Sequence, residues 1–251
     1  MMKKWMAIGL IACLGGVASA EPMRTALTKE NRLPRLYQAE ASVEFLYRDF
    51  EDNAGDILTI APQIRYTLVR DFAVFARLPY HRIDPQVGSR ESGMGDASVG
   101  VEFLAFKNLF GYPWIMPHGE VIFDNGNENK GLGTGETEYL VGVAAGTTVN
   151  RDFHFAADLR YLIQDDADNV PSIAASLVWD LDSRFSLIAE LEIQRVKMTD
   201  FMGNSDTEHH LTMLGGMHYR ASRALQFTLQ GGTGQKNGIE AIFRGNVSYS
   251  F

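Results

Sequence analysis

The chain has 251 residues, a formal net charge of −8 and 45% hydrophobic residues. This acidic balance disfavours nucleic-acid binding through a basic patch, and a single cysteine, Cys13, excludes a disulfide framework within the chain. The composition suits a globular domain and a β-barrel wall with one lipid-facing side equally well, so the hydrophobic periodicity has to separate them.

Residues 1–20 have the layout of a secretory signal peptide. Lys3-Lys4 precede an apolar run from Trp5 to Leu14, and Ala18-Ser19-Ala20 supply the small residues that signal peptidase requires. The run is shorter than the roughly 20 apolar residues of a membrane-spanning helix. We therefore expect cleavage before Glu21. The alternative, a lipoprotein-type site at Cys13, would leave an apolar core of only about eight residues.

Residues 21–35 show no clear period and are predicted to be a periplasmic lead-in or a segment folded into a lumen. In residues 36–251, apolar and polar residues alternate in long segments, most regularly from Phe153 to Gln164. Such apolar-out, polar-in alternation is typical of transmembrane barrels. Besides 153–164, the alternating segments fall near 38–50, 56–69, 72–83, 95–106, 113–123, 137–149, 170–181, 185–197, 207–220, 224–233 and 239–251.

The connections between these segments alternate between short and long. Tight turns are expected at 69–71, 150–152, 182–184 and 221–223, with one longer link at 107–112; the long connections are 51–55, 84–94, 124–136, 164–169, 198–206 and 234–238. Short periplasmic turns and longer outer loops are typical of outer-membrane barrels. The sequence therefore predicts an all-β fold, a transmembrane antiparallel up-and-down β-barrel of about 12 strands in the cell outer membrane. A soluble β-sandwich is the alternative.

The last predicted strand, from Ile239 to Phe251, resembles the closing strand of bacterial outer-membrane β-barrels. It alternates strictly and ends on an aromatic residue, with Tyr249 two positions earlier. The resemblance implies that Tyr249 and Phe251 form the signal read by the barrel-assembly machinery. It also implies that outer-membrane lipid and lipopolysaccharide surround the wall.

The outward parity identifies the side chains expected to contact lipid. Leu159, Leu191, Phe227 and Val247 are expected to face acyl chains. Trp114, Trp179 and several tyrosines near predicted strand ends are expected to form aromatic girdles at the two interfaces. Met116 is assigned to lipid contact or rim packing.

A family resemblance rests on four short motifs. These are Pro62-Gln63-Ile64-Arg65-Tyr66, Leu78-Pro79-Tyr80, the stretch from Ser92 to Gly100, and Gly131-Leu132-Gly133-Thr134-Gly135. They resemble the outer-membrane transporter family named for the phenol-degradation meta pathway. The resemblance implies transport across the outer membrane, but the family label implies little about the solute.

A barrel hydrolase is the alternative function. Asp206, Glu208, His209 and His210 lie at the predicted outer rim, where outer-membrane proteases place paired carboxylates and an Asp-His couple. Only Glu208 and His210 share the inward parity, and no Gly-x-Ser-x-Gly elbow is present. A solvated loop end explains these residues more simply, so no catalytic residues are predicted.

Metal binding has one candidate, an acidic outer loop with Asp165, Asp166, Asp168 and Asn169. Its oxygen ligands are of the kind that Ca²⁺ prefers, although a hydrated loop is the simpler interpretation. The histidines are scattered along the chain. No metal or other cofactor is predicted.

Charged residues with inward parity define the expected lumen. At mid-height these are Glu44, Arg65, Arg77, Glu102, His118, Glu120, Asp158, Arg160, Glu190, Glu192 and Arg244. Arg65, Arg77 and Arg244 come from neighbouring strands, whereas most of the carboxylates come from the other side. We expect a narrow, hydrated channel for small solutes with Arg65 and Arg77 at its constriction. The alternative is a structural barrel closed by ion pairs, since unpaired charge in a dry lumen is costly.

Overall fold

The computed structural model describes residues 23–30, 33–34, 36–50, 55–107, 113–165, 168–199, 205–235 and 238–251. The expected signal peptide and its cleavage site lie outside these ranges. No helix within them is long and apolar enough to cross a membrane. Apart from a 3-10 helix at Glu128–Lys130, the elements are the strands β1 (Ala39–Phe50), β2 (Gly55–Val69), β3 (Phe72–Arg77), β4 (Tyr80–Pro85), β5 (Glu91–Met94), β6 (Ser98–Phe103), β7 (Trp114–Ile122), β8 (Glu138–Val149), β9 (Phe153–Ile163), β10 (Val170–Asp180), β11 (Phe185–Thr199), β12 (Ser205–Arg220), β13 (Leu225–Gln235) and β14 (Ile239–Ser250).

The strands form one antiparallel sheet that closes on itself. From β6 to β14 each strand pairs with the next one along the chain. β1 then pairs with β14 on one side and with β2 on the other. The closing register runs from Glu40 opposite Ser250 to Phe50 opposite Ile239. Closure satisfies the backbone groups that an open sheet would leave unpaired in lipid.

At two places around the barrel, a pair of short strands takes the place of one long strand. These pairs are β3 with β4, and β5 with β6. β2 pairs with β3 through residues 63–69 and with β4 through residues 55–60. β6 continues the wall beside β3, and β5 continues it beside β4. Counting these pairs as single positions, the described chain forms twelve wall positions. The predicted barrel is therefore confirmed.

The divided positions correct two of the predicted segments. Residues 72–83 were expected to form one strand, but Leu78 and Pro79 interrupt it. Leu78 still donates its backbone N–H to Pro62 O at 3.0 Å, but Pro79 has no N–H to donate to the ladder, so the regular pairing is interrupted there. Residues 91–94, expected in a loop, form β5, and the expected strand at 95–106 begins only at Ser98.

Side chains alternate between the lumen and the outer surface. In β11 the side chains of Ser186, Glu190 and Glu192 are buried, whereas those of Leu187 and Leu191 are exposed. β6 alternates in the same way along its whole length. The inward residues carry odd numbers in β2, β3, β4 and β5 and even numbers in most other strands. The lumen face is therefore rich in polar groups, and the outer face is largely apolar.

The residues expected to face lipid lie on the outer face. Leu159 is 60% exposed, and Leu191 and Val247 are exposed as well. Phe227 is half-buried between the inward-facing Gln226 and Thr228.

Trp114 and Met116 are not on the outer face, contrary to expectation. Their relative exposures are 7% and 0%, and they form an inward apolar cluster with Leu104 and Ala144. Leu33, from the segment that precedes β1, packs against this cluster. Chain inside the lumen covers these side chains, so the inward side is not uniformly wet and apolar residues are stable there.

The short turns and the long loops lie at opposite ends of the barrel. Asn150 and Arg151 join β8 to β9 with φ of 51° and 64°, a left-handed conformation common in tight hairpins. In the turn between β10 and β11, Asp182 accepts backbone hydrogen bonds from Arg184 and Phe185 of 2.6 and 2.8 Å. These bonds lower the pKa of Asp182. We name the short-turn end the inner end and the other the outer end, following the orientation of such barrels.

Aromatic rings cluster on the outer face near the inner end. Ring centroids are 5.5 Å apart in Phe153–Trp179, 4.7 Å in Phe185–Tyr219 and 5.6 Å in Tyr249–Phe251. Phe251 also exchanges two backbone hydrogen bonds with Ala39, of 3.0 and 3.2 Å. The last residue therefore belongs to the seam that closes the barrel.

A charge on the outer face near the middle of the wall should destabilise the barrel. Leu191→Arg is expected to lower the free energy of unfolding in lipid vesicles by about 2–4 kcal/mol, because the guanidinium would be placed among acyl chains. The control is Gln194→Arg, three residues later on the inward face, which should have a smaller effect. Equal losses in denaturant titrations of the two variants would contradict the assigned register of β11.

Candidate functional site in the barrel lumen

Residues 23–30, here named the lumen segment, lie inside the barrel near its inner end. Arg24 is 1% exposed. Its side chain donates to Glu30 of the same segment at 3.1 Å and to Ser186 of β11 at 3.0 Å. It also forms an ion pair with Asp180 of β10. Since Asp180 and Ser186 flank a short turn, Arg24 fixes the segment to the inner end of the wall.

Backbone N–H groups of the lumen segment are bound by a wall carboxylate. Ala26 donates to both oxygens of Glu190 at 2.8 and 2.9 Å, and Leu27 donates to both at 3.3 Å. Gln230 of β13 donates to the same carboxylate at 3.1 Å. A buried carboxylate needs such donors to offset its desolvation. Glu190 therefore anchors the middle of the segment.

Lys29 connects the lumen segment to the opposite part of the wall. Its Nζ lies 2.7 Å from Glu102 of β6 and 4.8 Å from the centroid of the Phe75 ring. Its backbone N–H donates to Asp158 of β9 at 3.3 Å. The segment thus spans the lumen from β10 and β11 to β6.

Arg65 occupies an enclosed ion-pair cluster at the inner end. It is 1% exposed and lies 2.8 Å from Glu40 and 3.3 Å from Glu102. Glu102 is itself fully buried and is shared with Lys29. Arg65 was expected at a hydrated constriction, but the structure places it among protein groups and away from the cavity described next.

A cavity of about 530 Å³ occupies the lumen on the outer side of the lumen segment. Met23 and residues 25–29 form its floor, and inward side chains from strands around the barrel form its wall. Lining residues such as Arg48 and Ile122 lie two residues or fewer from the outer ends of their strands. A second, smaller cavity of about 220 Å³ lies at the inner end, where His154, Ser186 and His218 line it. The lumen segment therefore occupies the inner half of the lumen without filling it completely, and the larger cavity lies towards the outer end.

One side of the cavity is basic. Arg77 of β3 and Arg244 of β14 share the carboxylate of Glu44 on β1, at 2.8 and 2.6 Å. Arg244 also donates to Gln230 at 2.6 Å. Arg48, four residues after Glu44, lines the cavity on the same face of β1. This basic arc has three guanidinium groups and two carboxylates, Glu44 and Glu40, and Glu40 is paired with Arg65.

The other side of the cavity is acidic. Glu120 of β7, Asp158 of β9 and Glu192 of β11 line it together with Arg160. Arg160 forms an ion pair with Glu192, and His118 lies 2.9 Å from Asp158. This acidic arc has three carboxylates and one guanidinium. In the strand order, β9 lies opposite β1, so the two arcs face each other across the cavity.

The predicted lumen residues thus separate into two groups. Those around the outer cavity are Glu44, Arg77, His118, Glu120, Asp158, Arg160, Glu192 and Arg244. Those of the inner end are Arg65, Glu102 and Glu190, which bind each other or the lumen segment. Sequence reasoning missed Arg48, although its even number on β1 matches that of Glu44. It also missed Arg24, which belongs to a stretch with no periodicity.

The two outer glycine motifs meet around Asp96. Its Oδ1 accepts hydrogen bonds from the backbone of Asn125 and Gly126 at 3.1 and 2.6 Å, and its Oδ2 accepts one from Thr134 at 2.7 Å. A Cβ at Gly126 or Gly133 would lie 2.8 or 2.6 Å from Asp96 Oδ1. The connection 123–137 is therefore a folded structure held against the wall beside β5.

The rim residues of the hydrolase alternative do not form a close couple. Glu208 and His210 share the inward face, and their side chains are 3.9 Å apart, beyond hydrogen-bonding distance. His209 is exposed and has the opposite parity, and the side chain of Asp206 lies outside the described residues.

The acidic loop offers no assembled metal site. Asp168 lies 3.1 Å from Lys197, and Asp166 lies outside the described residues. Within the part of the chain that the structure describes, no three His, Cys, Asp or Glu residues are placed to hold a metal ion.

Comparisons with known proteins identify the fold. No protein-family model and no curated sequence matches the chain. A solved outer-membrane channel from Pseudomonas putida F1 is similar, with a TM-score of 0.69 and 13% identity over 92% of this chain and 99% of that chain. A KdgM porin in complex with disordered oligogalacturonate has a TM-score of 0.58 and 12% identity over 84% and 99%. A NanC porin has a TM-score of 0.56 and 12% identity over 83% and 98%. The shared feature is the fold of outer-membrane β-barrel channels.

Removing Arg65 should destabilise the inner end. Arg65→Ala would leave Glu40 without its cation in a buried site, and we expect a loss of about 3–5 kcal/mol in the free energy of unfolding. Arg70→Ala is the control, because the Arg70 side chain is 83% exposed and lies 3.9 Å from Asp71. The control should change stability by less than about 1 kcal/mol. Equal stabilities of the two variants would contradict a structural role for the Arg65 cluster.

Proposed function

We propose that the protein is an outer-membrane channel that passes small polar solutes through the barrel lumen. The observation that carries this proposal is the cavity of about 530 Å³ inside a closed barrel, lined by opposed basic and acidic arcs. A wall of twelve strands is wider than one filled by its own side chains. Small polar solutes are the compounds expected to pass through such a charged, hydrated lumen.

In this proposal the two arcs set the selectivity of the passage. Arg77, Arg244 and Glu44 act on one side, and Glu120, Asp158, Arg160 and Glu192 act on the other. Opposed charges create a transverse field that orients polar solutes, and low-dielectric walls strengthen that field. Arg65, Glu102 and Glu190 contribute indirectly by holding the wall and the lumen segment in place.

The lumen segment narrows the inner half of this passage. Its polar contacts are ion pairs and hydrogen bonds to wall side chains, as the bonds of Arg24 and Lys29 illustrate, and Ala26 and Leu27 also pack against a small apolar cluster of the wall. The competing function is a structural barrel that the segment closes permanently. The polar contacts around Arg24 and Lys29 favour the structural barrel. Measurements of ionic current therefore have to decide between the channel and the structural barrel.

The proposal includes the cellular setting. Residues 1–20 act as a signal peptide, residues 21–35 enter the lumen and residues 36–251 form the barrel. Tyr249 and Phe251 serve the barrel-assembly machinery, and lipid and lipopolysaccharide surround the outer face. The glycine motifs favour membership of the transporter family named for the phenol-degradation meta pathway.

The ligand of the similar KdgM porin is not carried over to this chain. Oligogalacturonate bears a carboxylate on each sugar unit, whereas one side of this cavity presents Glu120, Asp158 and Glu192. A polyanion would be repelled by that arc.

Charge reversal of Arg77 should alter ion selectivity. In planar bilayers, Arg77→Glu is expected to shift the reversal potential towards cation preference, because the basic arc would lose a guanidinium and gain a carboxylate. Arg82→Glu is the control, since Arg82 is an exposed neighbour of opposite parity on β4. Unchanged selectivity in Arg77→Glu, with a folded barrel, would contradict a passage along this arc.

Weakening the lumen segment should increase the current. The double variant Arg24→Ala, Lys29→Ala loses the ion pairs to Asp180 and Glu102, and its single-channel conductance should exceed that of the parent. Lys197→Ala, which removes an exposed pair at the outer end, is the control and should leave conductance unchanged. Absence of current from both the parent and the double variant would support the structural barrel instead.

A further inference from the structure

The charges around the outer cavity are balanced in number. Among the described residues that line it, five are acidic, namely Glu40, Glu44, Glu120, Asp158 and Glu192, and five are basic, namely Lys29, Arg48, Arg77, Arg160 and Arg244. They are nevertheless separated in space, because the arc on β14, β1 and β3 has an excess of guanidinium groups and the arc on β7, β9 and β11 has an excess of carboxylates. The cavity therefore has a positive and a negative side but no marked net charge.

Among the described charged residues that line the cavity, one on each side forms no side-chain hydrogen bond or ion pair. Within the described residues, Arg48 forms no side-chain hydrogen bond or ion pair, and its Nε is buried without a partner. In the same part of the chain, Glu120 forms no side-chain hydrogen bond or ion pair, although it lines the cavity from β7. Each is two residues from the outer end of its strand. These two groups are the ones available to an incoming solute.

We propose that the outer cavity selects small zwitterionic solutes, which bear a carboxylate and an ammonium group. The solute carboxylate pairs with Arg48 on the basic arc, and the solute ammonium pairs with Glu120 on the acidic arc. This inference rests on the proposed channel function and names its class of solute.

Solutes with a single charge fit this arrangement less well. An anion gains the contact with Arg48 but faces the acidic arc, and a cation meets the converse situation. A like charge held nearby in a partly desolvated site costs free energy, which weakens such binding. Only a solute with both charges satisfies both unpartnered groups, each through a charge-assisted hydrogen bond.

Three probes of nearly equal size test the inference. Glycylglycine is zwitterionic at neutral pH, N-acetylglycylglycine is an anion, and glycylglycine amide is a cation. Binding to the purified full-length protein in detergent is measured by isothermal titration calorimetry. Because glycylglycine makes one more charge-assisted contact than either singly charged probe, it should bind at least about tenfold more tightly.

Two single variants and their combination assign the contacts. Arg48→Gln and Glu120→Gln should each weaken glycylglycine binding by about tenfold or more. The double reversal Arg48→Glu, Glu120→Arg should recover much of the affinity, because a zwitterion can bind in the opposite orientation. Arg82→Gln, which alters an exposed guanidinium of outward parity, is the control and should leave affinity unchanged. Circular dichroism and heat-modifiable gel migration verify that each variant is folded.

The possible results distinguish a failure of the proposed solute class from a failure of the proposed channel function. Equal affinities for the three probes, or preference for a singly charged probe, would overturn the inference even if the protein conducts ions. Selective glycylglycine binding that is lost in both single variants would support it. If that binding persists in a protein that never conducts, the zwitterion site stands and the channel function fails.

Discussion

The structure depends on buried carboxylates of the lumen face. Their hydrogen-bond donors come from the lumen segment or from strands that are not their immediate neighbours in the wall. Glu190 is bound by backbone N–H groups of the lumen segment, and Glu102 is shared between Lys29 and Arg65. A carboxylate in a poorly hydrated site without such partners would be strongly destabilising. The segment therefore supplies donors that the wall lacks, and the wall supplies the acceptors that hold the segment. The segment is thereby held in the inner half of the lumen and forms the floor of the outer cavity.

The sequence predicted the wall well because the wall follows local rules. Period-two alternation identified the strand positions, their parity and the inward placement of residues such as Glu120 and Arg244. The interruption between β3 and β4 arose from a local exception, the missing N–H of Pro79. Contacts across the lumen were beyond this reasoning, because the pairing of Arg65 with Glu102 depends on strand tilt and stagger. The position of Arg24 was equally inaccessible, since the lumen segment has no periodicity and is placed only by its charges.

The glycine motifs that suggested a family resemblance have a physical explanation in the structure. The stretch from Ser92 to Gly100 contains Asp96, and the stretch from Gly131 to Gly135 belongs to the outer connection that closes around its carboxylate. Gly133 is required by the close approach to Asp96, and a Cβ at Gly95 would lie 2.3 Å from the His81 ring. Two motifs about 40 residues apart in the sequence are thus held together around Asp96. Their contact stabilises the wall beside β5, which pairs with β4 alone among the described strands.

The position of the lumen segment also links the interior of the barrel to its closing seam. The segment precedes β1, and Tyr37 and Thr67 are already hydrogen-bonded near the point where it enters, through Tyr37 N to Thr67 O at 3.0 Å. β1 is also the strand that β14 must join to close the wall. One strand therefore joins the occupied interior to the closing seam, since the chain of the lumen segment continues into β1. A shift in the register of β1 on β14 would also displace the segment inside the barrel.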